Sequence, residues 1–123
     1  MIPTHPEWAA CIAEYARFIL DDESIRRNWL DRVRPDSSIY SPNELVCQIF
    51  VDMNAEEGLE QLASAVGQNA QIYRSIADFI SKLSDLSKVL PLGESFHEIE
   101  NVLKLQQWHS LRRAAANVID PFN

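Results

Sequence analysis

A chain of 123 residues, 46% hydrophobic and 24% charged, suits one globular domain that buries its apolar surface without a metal or disulfide staple. These proportions exclude a disordered segment, and the formal charge of -7 argues against sequence-independent nucleic-acid binding, which needs a basic surface to neutralise phosphates. With 3 glycines and scattered β-branched residues, the turn signals of an all-β domain are missing, so helices are expected.

Thr4-x-x-Glu7, with Pro6 in the first turn, has the form of a capping box and opens the first predicted helix. Trp8, Ile12, Tyr15 and Ile19, with Cys11 and Phe18 beside them, trace one buried stripe to about Leu20, while Glu14 and Arg17 lie on the other side. Asp21-Asp22-Glu23 supplies a cap and a negative first turn for a second helix, with Ile25, Trp29 and Val33 inside and a stop before Pro35. Its solvent side carries Arg26, Arg27, Arg32 and Arg34 against Asp31, the most basic patch of the chain. Trp29 in that patch suggests phosphate binding with aromatic stacking, but its place on the apolar stripe assigns it to the core.

Asp36 to Tyr40 reads as a loop, and Ser41-Pro42-Asn43-Glu44 combines a cap, a proline at the first helical position and a glutamate three residues after the cap. Leu45, Val46, Ile49, Phe50 and Met53 follow at helical spacing; a buried strand over Val46 to Val51 is the competing assignment. Asn54-x-x-Glu57 offers another capping box for a shorter helix with Leu59, Leu62 and Val66 inside, ending at Gly67. Asn69 can cap the longest pattern, Ile72, Ile76, Phe79, Ile80, Leu83, Leu86 and Leu90, which Pro91 and Gly93 break and which reads as the central helix. Ser95-x-x-Glu98 caps the last helix, with Ile99, Val102, Leu103, Gln106, Leu111 and Val118 inside and an end before Pro121. No linker divides the chain, so the expected fold is all-α, a single compact bundle of five to six helices with short loops.

The chemistry of catalysis finds little foothold. His5, His97 and His109 are far apart in sequence, Glu94-x-x-His97 occurs once and straddles a predicted cap, and Cys11 and Cys47 have no neighbouring sulfur, so no metal site is expected. There is no nucleophile elbow and no glycine-rich phosphate loop, hence no cofactor is expected and the chain reads as a non-enzyme. Both cysteines fall in apolar helical patterns, which predicts buried, reduced thiols. The absence of a basic and apolar leader or of any membrane-length apolar run leads to the expectation of a soluble, cytoplasmic protein that does not engage membranes.

The remaining feature is acidic. Between Pro35 and Tyr73 there is no lysine or arginine, while Asp36, Glu44, Asp52, Glu56, Glu57 and Glu60 all fall there. If the helices after Ser41 and Asn54 are collinear, Glu44, Gln48, Asp52, Glu56 and Glu60 form one stripe at four-residue steps. Like charges at that spacing repel, so such a face forgoes stabilisation and suits a positively charged partner. The expectation is a small acidic protein-binding module, of the inhibitor or immunity-protein class, that masks a basic protein partner. Its predicted contacts are Tyr40, Glu44, Asp52, Glu56, Glu57 and Glu60. The alternative is a structural or regulatory subunit of a homo- or hetero-oligomer, with an enzyme a distant third.

Overall fold

The computed structural model describes residues 5–31, 38–91, 93 and 95–119, all helix, turn or loop and without a strand among them. Among the described residues seven helices follow one another: α1 (His5–Leu20), α2 (Asp22–Ile25), α3 (Pro42–Cys47), α4 (Ala55–Val66), α5 (Gln71–Ser87), α6 (Phe96–Val102) and α7 (Gln106–Ile119). Two of them widen into π-helical turns, α2 over Arg26–Asp31 and α3 over Gln48–Asp52. The all-α class stands, and the count rises above the expected five to six. The predicted cap at Thr4, the expected stops before Pro35 and Pro121, and the positions of Arg32, Val33, Arg34, Asp36 and Glu94 lie outside the described residues.

The caps explain several of the boundaries. Asp21 accepts hydrogen bonds from the amides of Glu23 and Ser24, so α2 starts where the acidic triplet predicts. Ser41 accepts from the amide of Glu44 at 3.0 Å, with Pro42 in the first turn, which establishes a helix rather than a strand over Val46 to Val51. Ser95 likewise accepts from the amide of Glu98 and donates to its carboxylate. Two expected caps are not made. Asn54 is left-handed, with φ 48°, and its side chain donates to the Glu57 carboxylate instead of accepting from an amide. Asn69 falls in the turn before Ala70, the residue from which α5 starts, and no side chain caps that helix.

The extra helix arises where one continuous last helix is expected. The amides of Lys104 and Leu105 bond back three residues, to Asn101 and Val102, which tightens the chain and ends α6. The break resets the phase of the residues after it. Gln106, expected inside, is exposed, and Trp108 turns into the core.

Helix α7 packs against both α1 and α5 more extensively than any other pair of helices packs, so it shares the central place expected for α5 alone. Its buried face is Trp108, Leu111, Ala114, Ala115 and Val118, and α1 presents Ala9, Ala13 and Ala16 beside the predicted Trp8, Ile12 and Ile19. Small side chains shorten the distance between helix axes, so two alanine-lined faces let α1 and α7 approach closely. The aromatic centre sits at one end of this layer, where Trp29, fully buried, meets Trp108 at 5.2 Å and Phe18 at 6.1 Å between ring centroids. Its indole N–H donates to the Ile39 carbonyl at 2.9 Å, tying the loop before α3 to the core. Helix α5 buries Ile76, Phe79, Ile80, Leu83 and Leu86 along the predicted stripe, together with Ser75, whose hydroxyl donates to the Ile72 carbonyl.

Candidate protein interface

The acidic segment folds into two groupings rather than one stripe. Helices α3 and α4 are separated by Met53 and the left-handed Asn54, so they are not one continuous rod. Gln48, placed by sequence spacing in the middle of a solvent-facing row, is instead buried. Its amide is satisfied on all sides: Tyr15 donates to Oε1 at 3.0 Å, and Nε2 donates to the Ser38 carbonyl and hydroxyl and to Glu44 Oε1 at 3.1 Å. A polar side chain with this many partners is buried without the cost of an unmade hydrogen bond. Glu44 is four residues back on the same helix, but Tyr15 and Ser38 come from α1 and the preceding loop, and four-residue spacing alone does not reveal them.

The first grouping surrounds Tyr15. A cleft of about 330 Å³ is lined by Glu14, Tyr15, Phe18 and Gln48, among others. Burial raises the Tyr15 pKa, and the charges of Asp52, Cys11, Glu44 and Glu14 raise it further. Of these carboxylates Glu14 lines the cleft, beside the aromatic wall of Tyr15 and Phe18.

The second grouping occupies the outer side of α4. At about 100° per residue, Glu56, Glu57 and Glu60 lie about 120–160° round the helix from the buried Leu62. All three are exposed, as is Asp52 at the end of α3, and no lysine or arginine occurs from residue 38 to 73. Glu57 is held by Asn54 Nδ2 at 2.9 Å; Asp52, Glu56 and Glu60 make no ion pair with any described residue. Tyr40 is 49% exposed in the loop before α3, outside both groupings. Spacing missed Val51, which is 68% exposed beside Asp52 although the apolar run around it is core. The signal was available: Val51 lies outside the spacing of Leu45, Ile49 and Met53.

Elsewhere several charges are matched. Arg26 bonds to Glu23 and Asp31, and Arg27 lies 3.6 Å from Glu23, so the described part of the basic patch is neutralised on its own helix. Arg112 is inside α7. It reaches Asp22 at 2.9 Å and the Leu20 carbonyl at 3.4 Å, clasping the α1–α2 corner. Both cysteines are unbridged; Cys11 is half-buried, and Cys47 is exposed, which corrects the expectation of two buried thiols. Cys47 lies about 200° round α3 from the buried Leu45, on the wet side. His97 and His109 are both exposed, and neither lines the Tyr15 cleft. Among the described residues no three His, Cys, Asp or Glu side chains gather as a metal site, and no helix is long and apolar enough to cross a membrane. No protein-family model matches the chain, and no curated protein or solved structure matches it either.

Proposed function

We propose that the chain is a small acidic protein-binding module that covers a basic surface of a partner protein, in the manner of an inhibitor or immunity-type protein. The observation that supports this reading is the exposed, cation-free set Asp52, Glu56, Glu57 and Glu60, none of which has an ion-pair partner among the described residues. Unpaired carboxylates one helical turn apart repel by a few tenths of a kcal/mol each, and a basic partner converts that repulsion into attraction and faster association. Val51 beside Asp52, and Tyr40 apart from it in the loop before α3, supply exposed apolar anchors, of the kind that carry binding energy when water is excluded by a polar surround. The Tyr15 cleft, with Glu14 on its wall, receives a lysine or arginine side chain of the partner.

The decisive experiment is co-purification from the native host at low and high salt, alongside a variant in which Asp52, Glu56 and Glu60 are all replaced by lysine. A basic protein recovered at low salt, released at high salt and absent from the variant supports the proposal. Equal recovery by the natural chain and the folded variant would overturn it.

A further inference from the structure

On the side of α4 away from the acids runs an apolar groove of about 410 Å³ between α1, α4, α5 and α7. Leu62, Ile72, Ile76 and Val118 are prominent in its lining, with Ala10 and Ala13 along its α1 edge. Its charged lining residues are Glu14 and Arg17, both on α1 and both exposed. Their positions differ. At about 100° per residue, Arg17 stands about 40° round α1 from the groove-lining Ala13, and Glu14 about 100°, on the ridge shared with the Tyr15 cleft. Arg17 therefore overhangs the groove, whereas Glu14 leans towards the cleft it also lines. The Arg17 guanidinium makes no ion pair or hydrogen bond with any described residue.

We infer that this groove binds an amphiphile with an acyl chain and a carboxylate, the chain lying against Leu62, Ile72, Ile76 and Val118 and the carboxylate accepting from Arg17. Length and charge select this occupant. The groove extends about 12 Å along α1 from Ala9 to Arg17, with the guanidinium at one end. An extended hydrocarbon chain fits such a slot, and its volume falls within the range of small-molecule sites. A guanidinium at one end of an apolar slot matches a carboxylate in bidentate fashion, which an alcohol of equal length cannot reproduce. This site is independent of the acidic surface, which faces the other way on α4.

The test is a titration of the full chain with decanoate and with decanol, following side-chain methyl signals by NMR. Decanoate should shift the signals of Leu62, Ile72, Ile76 and Val118 saturably, and decanol should bind about tenfold more weakly. Arg17→Gln, on an exposed position, should weaken decanoate about tenfold and leave decanol unchanged. Saturable binding that is equal for the two ligands, or an Arg17→Gln variant that binds decanoate normally, would overturn the assignment. So would the absence of shifts at these methyls. If the same methyls respond to protein concentration alone, the groove is a contact between copies of the chain and the acyl ligand is ruled out.

Discussion

Gly58 lies on the inner side of α4 directly over the indole of Trp8: a Cβ added there would come within 2.2 Å of the ring. The close approach lets Trp8 donate its N–H to the Met53 carbonyl at 2.9 Å, joining α1 to the α3–α4 corner. Alanine usually stabilises a helix interior relative to glycine, by up to about 1 kcal/mol. Here the clash is expected to dominate, and Gly58→Ala should destabilise the fold by about 1–3 kcal/mol in chemical denaturation. Trp29 makes the comparable contact at the other end of the core. Trp29→Phe removes the donor to the Ile39 carbonyl, leaving a buried acceptor unmade, and should cost about 1–3 kcal/mol before any cavity is counted. An unchanged denaturation midpoint in either variant would contradict these packing roles. Both glycine and tryptophan are plain in the sequence, but the partner that gives each its role is 50 and 10 residues away respectively.

Among the elements, α2 shows how a helix of 4 residues is held in place. Asp21 accepts from Ser24 and Glu23, and these bonds lower its carboxyl pKa; Glu23 is lowered by Arg26. A carboxyl whose folded pKa is depressed contributes stability above its unfolded pKa and loses it as pH falls through the folded value. The α2 turn should therefore loosen as pH falls below the ordinary carboxylate range, followed by amide hydrogen exchange of Glu23 and Ser24. Asp21→Asn keeps a capping acceptor without a titrating charge and should weaken that dependence. At the acidic face of α4, Glu56 and Glu60 are one turn apart. Glu60→Lys replaces a like-charge pair by an attractive one in the favourable order and should stabilise the isolated protein by about 0.5 kcal/mol in thermal unfolding. If the same change weakens capture of the basic partner, stability and binding pull in opposite directions on this face.

At the scale of the molecule, the -7 charge is spread unevenly. The arginines of α2 are paired within their helix, Arg112 clamps the α1–α2 corner, and the α3–α4 region has no cation of its own. Added salt screens exposed charges, so it should stabilise the free protein slightly while weakening association with a basic partner. Concurrent melting and binding series over the same salt range check the two signs together. The apolar groove beneath Arg17 should respond little to that range on its hydrocarbon contacts, which separates it from the acidic surface.

Helical class, the starts of α2, α3 and α6, the end of α4 at Gly67 and the inward stripe of α5 follow from local rules: a cap needs residues three positions apart, and a buried face repeats every three to four. The acidic residues of the candidate interface were equally legible as charges without neighbouring cations. Their arrangement was not. Collinearity failed at Asn54 because a left-handed residue ends one helix direction and begins another, and Gln48 left the surface because Tyr15 and Ser38 meet its amide from distant parts of the chain. The alanine faces of α1 and α7 and the phase reset before Trp108 were hidden for a related reason: alanine gives a weak apolar signal, and a three-residue break changes which side of a helix faces in. The chain by itself determined which segments coil and which side chains carry charge, since both are properties of residues a turn apart. Only tertiary structure decided which of those charges stand exposed together and where a groove opens, because those depend on contacts between segments that sequence spacing does not relate.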